Sequence, residues 1–161
     1  MDQIRVALVM GSISDYETVI ETVKVLESFG IAYEKNVISA HRTPEDMVQY
    51  AKLASSRGLQ VIIAAAGGAA HLPGMIASLT TLPVIGIPIK TSALDGLDSL
   101  LSINQMPAGI PVLTTAIGIA GAKNAALGAI RILALHDLDL AQKLIDYQND
   151  LAQSVRDSNF K

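Results

Sequence analysis

Val61-Ile62-Ile63-Ala64-Ala65-Ala66-Gly67-Gly68-Ala69-Ala70-His71-Leu72-Pro73-Gly74 opens as an apolar run without alternation. Two glycines then break it, and a proline restarts it. A strand that is apolar on both faces needs cover on both faces, which is the condition of a parallel sheet between helix layers. The glycines mark a turn at its carboxyl end, and Pro73 fits the start of a helix that continues through Leu79. From Val61 to Ala70 the run is too short to span a bilayer.

The same unit recurs on either side. Ile4–Met10 is an apolar, β-branched run, read as a buried first strand. Gly11-Ser12-Ile13-Ser14-Asp15 follows, then a helix with apolar positions Val19, Ile20, Val23 and Leu26, stopped by Gly30. Ala32–Ile38 reads as a second strand, and its polar residues place it towards a sheet edge. Ser39-Ala40-His41-Arg42-Thr43-Pro44 comes next. Thr43 suits an N-cap, Pro44 suits N1, and Asp46 stands in a capping-box-like position for a helix reaching about Arg57 and Gly58. Val84–Ile87 is a fourth strand and Pro111–Thr115 a fifth. Between these two, Lys90–Gly109 is a long connection with a short helix over Leu97–Ile103. An Ala-rich helix, Ala120 to about Leu135, precedes a last helix capped by Asp137 or Asp139 and running to about Arg156. The tail Asp157–Lys161 is polar and is expected to fray.

Alternating strands and helices in 161 residues predict one α/β domain over 1–161 with a helical extension at about 137–156. The sheet is parallel and five-stranded, in the order 2-1-3-4-5, with helices on both faces. That order reverses direction between strands 1 and 3, so the carboxyl ends of these strands border a crevice. The polar turns after strands 1, 2 and 3 all point there.

Composition narrows the chemistry. A net charge of −3, without a basic run, gives no support for nucleic-acid binding. The absence of cysteine excludes disulfides, thiol nucleophiles and cysteine metal sites. Three histidines on separate elements have no metal-ligand spacing. The start Met1-Asp2-Gln3 lacks the basic region of a secretory signal, so an intracellular protein is expected. Half the residues are hydrophobic, mostly small and aliphatic, and mean hydropathy is +0.41. So apolar a chain of this size predicts association with copies of itself.

Each turn admits a functional and a structural reading. Gly11–Asp15 offers amides and hydroxyls suited to phosphate, and Asp15 can accept from ribose hydroxyls; Ser14 or Asp15 can equally cap the helix. It is neither a Walker A nor a G-x-G-x-x-G motif. His41 can exchange a proton near neutral pH and Arg42 can pair with phosphate, or the two can be an exposed pair before a capped helix. Gly67–Ala70 has room for a flat ring or a carboxylate against the backbone, or for tight packing between subunits. His71 is a ligand contact or an interface histidine. His136 is a C-terminal dipole partner. A Ser12–His41–Asp15 triad lacks the G-x-S-x-G elbow.

Together the motifs are specific. Gly11-Ser-x-Ser-Asp15, Ser39-Ala-His-Arg-Thr-Pro44 and Ala66-Gly-Gly-Ala-Ala-His-Leu-Pro-Gly-Met75, supported by Gly96-Leu-Asp-Ser-Leu-Leu-Ser-Ile103, Gln105-Met-Pro107 and Ala116-Ile-Gly118, resemble the PurE-type N5-carboxyaminoimidazole ribonucleotide mutase family over nearly the whole chain. The resemblance implies a flavodoxin-like three-layer fold and a cytoplasmic homo-octamer whose C-terminal helices pack on neighbouring subunits, with active sites near subunit boundaries. It implies no metal or organic cofactor. It assigns His41 as general acid/base. Ser12, Asp15 and Arg42 are assigned to the ribonucleotide, and Ser14 and Ser39 to phosphate. Gly68, Ala70, His71 and Leu72 are assigned to the ring and carboxyl pocket. Ser-Ala-His-Arg resembles the branch that rearranges the N5-carbamate, where a related branch carboxylates aminoimidazole ribonucleotide with CO2. Lys90 and Asn104 depart from the family pattern, both in the long connection.

Overall fold

The computed structural model describes residues 3–159. The expectations for Met1, Asp2, Phe160 and Lys161 lie outside these residues.

Five parallel strands form the centre: β1 (Val6–Met10), β2 (Tyr33–Val37), β3 (Val61–Gly67), β4 (Val84–Ile89) and β5 (Leu113–Thr114). Their order is β2-β1-β3-β4-β5, the order expected from the alternation. The apolar runs take the middle. Every residue of β1 and all of Val61–Ala66 are buried, whereas β2 at the edge is partly exposed. The pleat divides them between two cores. Val6, Leu8, Met10, Val61, Ile63 and Ala65 face α1 (Tyr16–Ser28), α5 (Ile119–Ala134) and the first turns of α6 (Leu138–Asp157). Ala7, Val9, Ile62, Ala64 and Ala66 face α2 (Pro44–Leu53), α3 (Leu72–Ala77) and α4 (Leu97–Asn104). Each fully buried Leu or Ile in these layers contributes roughly 1.5–3 kcal/mol.

Small residues set the spacing. Ala122, Ala125, Ala126 and Ala129 of α5 are fully buried, and the buried Thr22 hydroxyl of α1 donates to the Ala122 carbonyl at 2.8 Å. On the other face a Cβ at Gly86 would collide with Ile103 of α4, so a glycine in β4 is what admits that helix.

Several boundaries differ from the sequence reading. α2 ends at Leu53, and turns carry the chain to Gly58. Thr43 precedes α2, but its side chain does not cap it. The hydroxyl instead donates to the Ser39 carbonyl and accepts from the Ser39 amide, both at 3.1 Å. β5 is reduced to two residues, while β4 extends to Ile89. Asp137 rather than Asp139 caps α6, accepting from the Leu140 amide at 3.2 Å, and also pairs with Arg5 at 2.9 Å. α6 is anchored by Leu140, Leu144 and Tyr147. Further along it leaves Leu151 and Val155 exposed.

Candidate functional site

The turns after β1, β2 and β3 meet over the carboxyl end of β1 and enclose an open cleft of about 470 Å³. This is the crevice predicted where the sheet reverses direction.

After β1, Ser12 caps a short 3-10 turn over Ile13–Asp15, and Asp15 returns the bond by accepting from the Ser12 amide at 3.0 Å. The Ser14 hydroxyl donates to Ser12 Oγ at 2.9 Å, so two hydroxyls face the cleft as one cluster. Asp15 is therefore part of the turn's own architecture. Burial pushes its carboxyl above the ordinary value of 3.8; bonds from the Ser12 and Gly11 amides and the charge of Arg42 oppose the shift.

The raised value has a consequence for stability. A carboxyl whose folded pKa exceeds its unfolded one favours folding only while protonated, so ionised Asp15 costs stability at neutral pH. Asp15→Asn keeps an oxygen to accept from the Ser12 amide. We expect it to melt higher than the parent protein at about pH 7. The gain should fade as pH falls through the raised value and be gone below the unfolded one, near 3.8. Thermal melts across this range check it.

After β2, Ser39 organises the second turn. Its Oγ accepts from the Arg42 amide at 3.2 Å and from Arg42 Nε at 3.1 Å. The other arm of the guanidinium donates to the Gly11 carbonyl at 3.0 Å. Arg42 thus ties the second turn to the first, with Ser12, Ser14 and Ser39 around the same cleft. A fixed cation amid hydroxyls and helix-start amides has the chemistry to hold an anion such as phosphate.

After β3, Gly68 adopts φ +69°, which favours glycine. Its amide donates to Ser99 Oγ at 2.9 Å, and the Ser99 hydroxyl donates to the Ile89 carbonyl at 2.7 Å. The fully buried Ser99 thereby locks the glycine turn to the end of β4. It belongs to the long connection, within the Gly96–Ile103 motif, where the sequence does not show which of Ser99 and Ser102 faces the glycine turn. His71 then heads α3. Its Nδ1 lies 2.8 Å from His41 Nε2, with the rings edge to face.

Eight of the ten residues assigned from the sequence line this cleft: Ser12, Ser14, Asp15, Ser39, His41, Arg42, His71 and Leu72. Gly68 and Ala70 do not. The wall there is made by Gly67 and Ala69, while Ala70 is buried beneath them. Alternation along the turn exposes one residue of each neighbouring pair, and composition alone does not reveal which. Lys90 lies outside the cleft lining, where it pairs with Asp95 at 3.3 Å, and Asn104 ends α4. Among the described residues no cluster of three or more His, Asp or Glu is placed to hold a metal. Nor is any helix long and apolar enough to cross a membrane.

The AIR carboxylase family model matches residues 5–154. The N5-carboxyaminoimidazole ribonucleotide mutase of Saccharolobus solfataricus is 61% identical over 151 residues, 94% of either chain. The mutase of Bacillus subtilis is 55% identical over 154 residues, covering 96% of this chain and 95% of that one. The crystal structure of Treponema denticola PurE superposes with a TM-score of 0.85 at 30% identity, covering 94% of both chains. With the family model matching residues 5–154 and a mutase 61% identical over 94% of the chain, the chain belongs to the AIR carboxylase family.

Proposed function

We propose that this protein interconverts N5-carboxyaminoimidazole ribonucleotide and 4-carboxyaminoimidazole ribonucleotide in purine biosynthesis. His41 and Arg42 share one cleft with the Ser12 turn, in a chain 61% identical to a mutase. That conjunction carries the reading.

The reaction moves a carboxyl group from the exocyclic nitrogen to ring carbon C4. Protonated His41 gives its proton to the carbamate nitrogen. The N–C bond breaks, its electron pair stays on nitrogen, and CO2 departs. C4 then attacks CO2 to form the new C–C bond, and neutral His41 removes the C4 proton to restore the aromatic ring. The proton returns to its starting point, so this isomerisation needs no external acid, ATP or redox partner. Ser12, Ser14, Ser39 and Arg42 would hold the phosphate and Asp15 the ribose. Gly67 and Ala69, which line the cleft, would shelter CO2 beside His71 and Leu72. Holding the nucleotide at one end keeps both reacting atoms within reach of one imidazole.

Arg42 tests the binding half. Lysine keeps the charge but cannot reach Ser39 and Gly11 together through a planar fork. We expect Arg42→Lys to raise KM about 10–100-fold, the loss of one or two charge-assisted bonds, with a smaller effect on kcat. A dominant fall in kcat at unchanged KM would count against the assignment.

A second reading has direct support in the family's name. An AIR carboxylase would add CO2 to aminoimidazole ribonucleotide itself. One coupled assay separates the two: freshly made N5-carboxyaminoimidazole ribonucleotide, without ATP or added bicarbonate, followed for 4-carboxyaminoimidazole ribonucleotide. Rapid conversion supports the mutase. Turnover only of aminoimidazole ribonucleotide, dependent on bicarbonate, supports the carboxylase.

We further propose a cytoplasmic homo-octamer in which the outer part of α6 docks on neighbouring subunits. Its apolar Ile145, Leu151 and Val155 are half exposed or more, which suits burial against a second copy. Sedimentation should give eight times the 16.9 kDa protomer mass; a monomer would refute it.

A further inference from the structure

The turn after β2 and the turn after β3 flank β1, and across its end they bring His41 Nε2 within 2.8 Å of His71 Nδ1. The ring centroids are 4.9 Å apart and the planes are inclined by 80°. At this distance one nitrogen must carry a hydrogen and the other a lone pair. Three states follow from proton counting alone. A neutral pair holds one hydrogen on the shared axis, and both rings take the same tautomer, either Nε2–H in both or Nδ1–H in both. A pair with one added proton keeps the contact as a charge-assisted bond, and that proton can sit on either ring. A pair with two added protons sets N–H against N–H, and the contact must open.

We propose that His41 and His71 act as one unit that carries a single exchangeable proton, with His71 as the positioning residue that fixes which nitrogen of His41 serves the substrate. The catalytic part deepens the mutase reading and rests on it. His41 Nε2 is committed to His71, so Nδ1 is the nitrogen left to meet the ligand. When His41 Nδ1 takes the C4 proton, its Nε2 hydrogen can pass to His71 Nδ1. His41 then stays neutral and the charge rests on His71. The reverse transfer recharges His41 for the next carbamate. The C4–H bond breaks as Nδ1–H forms, between the rings only N–H bonds change, and no second acid is needed.

The surroundings leave this exchange to the two rings. The charged groups facing them across the cleft are Arg42 and Asp15. The first is bonded to Gly11 and Ser39, and the second to the Ser12 amide. The α3 helix, Leu72–Ala77, carries no ionisable side chain.

The chain has three histidines, so selective 15N-histidine labelling of the intact protein gives one signal set each for His41, His71 and a remote reference, His136. His71→Asn places an amide near the position of Nδ1, able to hold His41 but not to carry a proton. His71→Ala removes both functions. We expect His41 and His71 to titrate as a coupled pair in two separated steps, and His41 to titrate in a single step in His71→Asn. We also expect His71→Asn to lower kcat about tenfold or more, on the scale of a lost proton-transfer partner, with KM within about threefold. Independent single-step titration of both rings in the parent protein would overturn the proposal, and so would wild-type kcat in His71→Asn. The NMR arm needs no substrate. A coupled pair in a protein inactive on the carbamate would therefore refute the mutase reading while leaving the pair established. An unchanged His136 signal verifies that each variant is folded.

Discussion

His41→Asn should bind the ribonucleotide almost as the parent protein does and turn it over about 10³-fold more slowly, within the range for losing a general acid/base. The expectation rests on a division of labour visible in the cleft. The bonds that shape the proposed phosphate site run through Arg42, Ser39 and the Ser12 turn, and none of them passes through the His41 side chain. His41 is exposed, and its ring contact is with His71. Removing the imidazole therefore takes away a proton carrier without opening the phosphate site or the core. Calorimetric titration of the nucleotide beside steady-state kinetics checks both halves. If binding weakened by the same factor as kcat, His41 would be a binding residue and the acid/base assignment would fall.

Gly121→Ala should be among the most damaging substitutions to stability, costing about 3 kcal/mol or more. Gly121 lies in the first turn of α5. A Cβ there would run into the Ala116 carbonyl oxygen and carbon, and would stand 3.0 Å from Thr115 Oγ1. The obstacle is backbone, so no rotamer change relieves it. The whole helix must move, and α5 carries Ala122, Ala125, Ala126, Ala129 and Ile130 into the core against α1 and the sheet. Gly128→Ala is the control on the same helix. Its Cβ would meet only Ile85 Cδ1, at 3.4 Å, the end of a flexible side chain. Helix propensity would favour alanine there, so a change within about 1 kcal/mol is expected. Urea unfolding of both variants decides the matter, and equal stability would refute the argument.

Much of this architecture could be read from the chain because it rests on patterns that are local. Val6–Met10 and Val61–Ala66 announce strands buried on both faces, and the Gly11, Ser39 and Gly67 turns announce where those strands end. Five strands with helical crossovers favour the order 2-1-3-4-5 without dictating it, and that order is the one found. The misreadings involve atoms that are distant in sequence or in competition. Thr43 has an N-cap's identity and position, but the Ser39 backbone uses its hydroxyl. β5 is short because only Leu113 and Thr114 come into register with β4, opposite Ile85 and Gly86. The His41–His71 contact spans 30 residues and exists because β2 and β3 both flank β1. Ser99 stands in a motif of the sequence, but its role appears only when α4 lies beside the glycine turn.

The two borders of the sheet constrain how copies of this chain can meet. At one, β5 offers only Leu113–Thr114; at the other, β2 reads Tyr33-Glu34-Lys35-Asn36-Val37 and carries charge along its length. A short ribbon and a charged one are both poor templates for a foreign strand. The sheet is thus closed to growth by edge-to-edge pairing, although half the chain is hydrophobic. The proposed association of copies would then fall to the helical flanks, where the exposed Ile145, Leu151 and Val155 of α6 lie. An apolar composition is thereby kept apart from the exposed strand edges at which fibrils are seeded.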